Sequence, residues 1–291
     1  MAGWLGILSG CAAKHTVNVP VPQQILKAKV ASQEELLSIL GSYSKVASLS
    51  STSMKITATL GTVEAGKLQE YRGAPGYVLL QRPDRIRVDV QNPLTRNTLL
   101  DVSSIEDDFW IWSVRDRKFF IGKNSTRELS VEGEAQSVPF ALRPIHMYEA
   151  ILPRAVPVHE PGIRISMKED QDTQAKYYVI SVFKEMASPW METIREIWIE
   201  RSNLVLARQI IYEDEGRIVS RISYRKMTSQ YGVPLPLSLR IEHPGVEGYA
   251  IDMEFKNWRV DPALPADAFV LTPPPGARVI TLKEKQRSDA Y

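Results

Sequence analysis

The sequence predicts a mainly β (α+β) protein: one curved antiparallel sheet of about a dozen strands, forming an open half-barrel with helices packed on its concave side. Three observations predict it. From Met54 onward apolar residues recur with period two, in short runs bounded by turn residues. Helical spacing occurs in two stretches, one before the strands and one among them. Successive strands follow one another without the intervening helices that a parallel α/β sheet would require.

Residues 1–11 end in Cys11, the one cysteine of the chain, preceded by Leu8-Ser9-Gly10 and the apolar run Trp4-Leu5-Gly6-Ile7-Leu8. This resembles a lipobox, in which small residues give a signal peptidase access to the bond before a cysteine whose sulfur carries lipid. Met1-Ala2-Gly3 lacks the basic residue and the length of a signal-peptide opening, so the assigned start is expected to lie inside a longer signal. The alternative for Cys11 is a small buried hydrophobe near a frayed terminus. Residues 12–31, with Pro20 and Pro22, read as a flexible tether.

Ser32-Gln33-Glu34-Glu35 is a capping-box pattern, and Leu36, Leu37, Leu40, Tyr43 and Ala47 follow at helical spacing. A helix is expected from about Ser32 to Ser48. Strands are then read at 54–60, 77–80, 85–90, 98–102, 108–114 and 118–121. A second helix opens near Pro139-Phe140 and runs through His146 and Tyr148 to Leu152, where Pro153 and Pro157 stop it. Strands resume at 163–168, 177–183, 194–200, 204–212, 217–224, 237–242 and 251–258. The main domain is expected over 32–276, followed by a charged mobile tail over 277–291.

A strand wetted on one face alternates cleanly, as Ile86, Val88 and Val90 do against Arg85, Arg87 and Asp89. Others do not: Phe109 and Ile111 oppose Trp110, Trp112 and Val114, Tyr177 and Val179 oppose Tyr178 and Ile180, and Ile197 and Ile199 oppose Trp198. One such face can lie on the helices. The other needs a second cover, which is the far side of a curling sheet, a partner, or an apolar ligand. Val88, Phe109, Trp110, Trp112, Tyr148, Ile151, Val179 and Trp198 are the candidate lining of a hydrophobic cavity.

Lys plus Arg number 36 against 34 acidic residues, scattered along the chain. Nucleic-acid binding, which needs clustered cations, is therefore not expected. The histidines His15, His146, His159 and His243 have no metal-ligand spacing, and no Gly-x-Ser-x-Gly elbow, phosphate loop or dinucleotide fingerprint is present. Glu106-Asp107-Asp108 reads as turn chemistry. Neither an enzyme nor a metal site is expected.

From about Ser32 to Gly276 the residues resemble the lipoprotein-localisation family of LolA and LolB, most closely its outer-membrane receptor branch. Arg85-Ile86-Arg87, Asn92-Pro93-Leu94 and Leu99-Leu100-Asp101-Val102 look like that family's strand, protruding loop and returning strand. Val138-Pro139-Phe140 through Ile151-Leu152-Pro153 resembles an inner helix of the receptor branch, as Gly232 to Pro236 and Met253 to Trp258 resemble its last strands. Leu264-Pro265-Ala266-Asp267-Ala268-Phe269 with Pro273-Pro274-Pro275-Gly276 looks more like the carrier branch. The resemblance implies a half-barrel around a cavity for acyl chains, without chemistry and without a cofactor. It implies that Leu94 touches the membrane during delivery. Its partners would be acylated lipoproteins or lipids as cargo, a soluble periplasmic carrier, and the membrane through lipid on Cys11. Its place would be the outer membrane, facing the periplasm. The rival expectation is an envelope sensor or scaffold that uses the same half-barrel to bind a protein.

Overall fold

The computed structural model describes residues 22–60, 69–126, 129–130, 143–187, 190–244 and 249–284. Cys11, the first half of the tether, and Val138-Pro139-Phe140 lie outside them.

The chain enters through α1 (Gln23–Leu26), a single turn, and α2 (Gln33–Ser42). Ser32 caps α2 as its sequence pattern predicts, its hydroxyl accepting from the Glu35 N–H at 3.2 Å. Such a cap stabilises a helix by about 1 kcal/mol. The helix stops well short of Ser48: one 3-10 turn at Tyr43–Lys45 follows, and Ser48 already opens a strand. The cause is Arg82, which donates from Nε to the Val46 carbonyl at 2.9 Å and from Nη2 to the Tyr43 carbonyl at 3.0 Å. These are acceptors that a longer helix would use itself.

Six strands follow: β1 (Ser48–Leu60), β2 (Gln69–Gln81), β3 (Arg85–Gln91), β4 (Thr98–Ile105), β5 (Asp108–Ser113) and β6 (Lys118–Lys123). After β7 (Leu129–Ser130) and α3 (Pro144–Ile151) come β8 (Ile163–Gln171), β9 (Lys176–Glu185), β10 (Met191–Glu200), β11 (Val205–Glu213), β12 (Arg217–Thr228), β13 (Leu235–His243) and β14 (Tyr249–Phe255). The C-terminal part adds β15 (Arg259–Val260), β16 (Arg278–Thr281) and β17 (Lys283–Glu284).

Among the described residues these strands build a 15-stranded open sheet, in the order β16-β6-β5-β4-β3-β2-β1-β14-β13-β12-β11-β10-β9-β8, with β15 on β1. Two meanders, β1 to β6 and β8 to β14, are joined by the antiparallel pairing of β1 with β14. The chain passes from one meander to the far edge of the other through the segment that carries α3. At that edge β8 presents Lys168, Glu169 and Asp170. Charges on an edge strand oppose further pairing.

Cross-strand register shows which side chains share a face. Ile180, Ile197, Gln209, Ile222, Ile241 and Ile251 are successive partners across β9 to β14, and Val78, Val88, Val102, Ile111 and Phe120 across β2 to β6. This is the helix-bearing face. Met147, Tyr148 and Ile151 of α3 are buried on it over β3, β4 and β13, and Leu36 and Leu40 of α2 beside Tyr178, Ile180 and Ile197.

The N-terminal strand of chain before α2 is pinned to the end of the sheet that carries the β10–β11 turn. Lys29 N–H donates to the Arg201 carbonyl at 2.8 Å, Arg201 Nε returns a bond to the Lys29 carbonyl at 3.0 Å, and Ala31 N–H donates to Tyr178 Oη at 3.0 Å. The last ten residues of the expected tether are thus partly built into the fold.

The segment after β15 crosses the outer face of β3 and β4. Arg87 donates to the Ala268 carbonyl at 3.0 Å while its guanidinium pairs with Asp101 at 2.8 Å, and Ser103 Oγ donates to the Phe269 carbonyl. Phe269 is fully buried there. The expected mobile tail is strand as far as Glu284, because buried Ile280 and Leu282 draw β16 into parallel pairing with β6 and β17 onto β7. This parallel edge departs from a purely antiparallel sheet.

Gly122 of β6 faces Phe109, and a Cβ there would lie 2.4 Å from the ring. Phe109 is fully buried and has nowhere to move. Gly122→Ala is expected to destabilise the protein by about 1–3 kcal/mol, the usual cost of overpacking a core. An unchanged urea midpoint would show that the ring is loosely held.

Candidate functional site

The sheet divides the expected cavity residues between its two faces. Val88, Phe109, Tyr148 and Ile151 meet in one buried cluster on the helix-bearing face. Trp110 and Trp112 point to the other face, half-buried; Trp110 is the cross-strand partner of Ser103, whose hydroxyl holds the Phe269 segment. Val179 and Trp198 also lie on the outer face, with Tyr177, Ala175 and Ala207. There the Tyr177 and Trp198 rings pack edge to face at 5.5 Å and the Arg208 guanidinium stacks over Trp198 at 4.9 Å. The two-sided apolar character of these strands therefore arises from two covers, helices on one side and chain segments or cations on the other.

Leu94 stands at the tip of the β3–β4 loop, 90% exposed. The loop is held by Asn92, whose Oδ1 accepts from the Leu94 and Thr95 N–H groups at 2.9 and 3.1 Å, and by the Asn92–Asn97 and Arg96–Asn92 main-chain bonds. Arg96 takes a left-handed conformation, φ 61°, to close it. A rigid turn thus carries an unburied leucine. The β9–β10 hairpin leaves the same end of the sheet and displays Trp190, 76% exposed, with Met186 and Met191. Each of the two loops thus leaves a large apolar side chain uncovered.

Beneath α3 lies a polar inlay that periodicity did not single out. Gln209, 1% exposed, receives Arg195 Nε at 2.9 Å and also bonds Tyr224, whose hydroxyl donates to the Ala150 carbonyl at 2.8 Å; Arg195 Nη1 donates to the Arg154 carbonyl at 2.9 Å. Buried side chains thus satisfy carbonyls at and just beyond the C-terminal end of α3 and fix it to β10, β11 and β12. Burial lowers the Arg195 pKa and raises that of neighbouring Glu149, with Glu149 and Arg195 each partly opposing the shift of the other. The available signal was Arg195 and Gln209 at inward positions of otherwise apolar strands.

His146 and His243 converge on Tyr249 from α3 and β13. His146 Nδ1 lies 3.5 Å from the Tyr249 hydroxyl, and the His243 and Tyr249 rings stack at 5.4 Å. Burial, then Arg143 and His243, push the His146 pKa down to about 3. Among the described residues no cluster of His, Cys, Asp and Glu has the arrangement of a metal site, and no helix is long and apolar enough to cross a membrane.

Residues 229–283 match a family described as predicted periplasmic protein (DUF2092). No curated protein matches the chain. Among solved structures it is similar to a LolA superfamily protein from Nitrosomonas europaea, at 14% identity over 80% of this chain and 96% of that one, with a TM-score of 0.48. It is also similar to a domain assigned to outer membrane lipoprotein sorting from Vibrio parahaemolyticus, at 10% identity over 82% and 97% of the two chains, TM-score 0.47. A DUF1329 family protein from Desulfovibrio piger shares 14% identity over 80% and 94%, TM-score 0.46.

Proposed function

We propose that this chain is a lipoprotein, anchored through lipid on Cys11, that takes acyl chains of lipoproteins or lipids from a soluble carrier on its helix-bearing face and passes them to the outer membrane. The observation that carries the reading is the pairing of a large open sheet, apolar across its helix-bearing face, with the rigid Leu94 loop at one end. Each methylene moved into an apolar site contributes roughly 0.8 kcal/mol, so small differences in acyl burial between carrier, receptor and membrane suffice to set direction. No nucleotide is needed.

The sensor or scaffold reading has one observation in its favour. Tyr148, Ile151 and Leu152 are fully buried against the sheet, so the space under α3 is filled by the protein's own side chains. Acyl binding there requires α3 to lift.

Native mass spectrometry on protein purified from a bacterial envelope decides between them. The carrier reading expects a co-purifying lipid or acylated peptide and saturable uptake of a fluorescent fatty-acyl probe. Bare protein that takes up no probe would leave the sensor or scaffold.

A further inference from the structure

Pairing between β11 and β12 runs from Glu213 and Arg217 to Arg208 and Ser223 and then stops, although β11 begins at Val205 and β12 continues to Thr228. Each strand keeps its other neighbour. Val205 and Leu206 remain opposite Glu200 and Ile199 of β10, and Tyr224, Lys226, Met227 and Thr228 remain opposite β13. The sheet is therefore parted along a seam, not frayed at an edge.

Register irregularities cluster at the parting. The β10–β11 register shifts between Trp198 and Ile199, which leaves Ala207 as the extra residue, and the β12–β13 register shifts on both sides of Lys226. Bulges bend a strand and increase its twist, so bulges on both strands at one level drive them apart. The seam holds a cavity of about 330 Å³. Its inner wall is Leu206, Tyr224 and Met227, which pack with the α2 cluster, and its outer rim includes Glu200, Arg225 and Ser229.

We propose that the seam binds an extended peptide segment about four residues long, inserted between β11 and β12 as an added strand. Across the parting, residues 205–207 and 224–228 have no strand partner in each other, and of these the Val205 N–H donates to Asn203 Oδ1 at 3.1 Å. A backbone donor or acceptor covered without a partner costs about 1–3 kcal/mol. A hydrocarbon chain in the seam would impose that cost on both edges, whereas a peptide pairs with both at once. Strand alternation then sets its side chains: small or apolar toward Leu206, Tyr224 and Met227, polar toward Glu200 and Arg225. This site is separate from the acyl-binding reading of the helix-bearing face.

The test uses the full chain and a fluorescein-labelled peptide of alternating serine and valine, read by anisotropy. The unmodified peptide is expected to bind saturably, and N-methylation of alternate amides to weaken it at least tenfold. Ala207→Trp, which fills the cavity, is expected to remove binding while circular dichroism and thermal unfolding stay those of the parent. The methylation comparison needs no variant and stands even if Ala207→Trp fails to fold. Equal affinity for both peptides, no binding of either, or binding untouched in a folded Ala207→Trp protein would overturn the proposal. So would a fluorescent fatty acid that Ala207→Trp excludes while the peptide never binds, since the seam would then be an acyl portal. Peptide binding by a parent protein that takes up no fatty acid counts against the acyl-binding reading alone.

Discussion

Leu94→Glu is expected to leave folding and acyl binding unchanged and to reduce transfer of an acylated cargo into lipid vesicles at least tenfold. The side chain is 90% exposed, and surface substitutions of this kind usually change stability by no more than about 0.5 kcal/mol. The loop does not depend on it either, since Asn92 Oδ1 binds main-chain N–H groups that any residue at position 94 supplies. What changes is the free energy of meeting a bilayer: a leucine enters the interface readily, a carboxylate resists it. Transfer measured by vesicle co-flotation, beside binding measured by probe fluorescence, separates the two effects. Transfer equal to that of the parent would sink the membrane role of the loop.

Acidification is expected to destabilise the fold through His146, by an amount on the order of 5 kcal/mol once pH reaches about 3. The sign follows from the direction of the shift. The folded pKa of about 3 lies below the ordinary 6.5, so the unfolded chain binds a proton that the folded chain refuses. Stability is full above pH 6.5 and declines as pH falls from there toward 3. Burial raises the carboxyls of Asp101 and Glu149 instead, and these favour the folded state as acid is added. The difference between parent and His146→Gln isolates the histidine. Urea midpoints compared at pH 7 and pH 5 are expected to fall in the parent and to fall less in the variant; parallel declines would show that His146 is protonated in the folded protein.

How much of this was legible in the sequence follows from where each signal lives. Strand existence is local, and alternation such as Ile86-Arg87-Val88 writes it directly; the cap of α2 is equally local, as Ser32 and Glu35 show. The end of α2 was not legible, because it is set by Arg82, some forty residues on. Two-faced strands such as β5 and β9 were recognised, but what covers their second face comes from distant chain, the Phe269 segment over β4 and Arg208 over Trp198. Leu94 was legible because its exposure follows from a short turn. The seam was not, since pairing that stops midway leaves no mark on either strand's own pattern.

The fixing of Lys29 beside the β10–β11 turn determines how an anchored molecule would be leashed. That turn and the Leu94 loop lie at opposite ends of the sheet, offset along the strand direction by roughly 33 Å, the length of a ten-residue strand such as β10. Residues 23–26 are the α1 turn, so the reach of a leash is set by the eleven peptide links from Cys11 to Pro22, at most roughly 40 Å. If Cys11 carries the lipid, Lys29 sets the end of the sheet nearest the anchor, and Leu94 belongs to the opposite end. A leash of that reach would let the body turn over and set Leu94 against the leaflet that holds the anchor. Receiving and delivering would then be two poses of one rigid body, and the length of the leash would govern how often it swings between them.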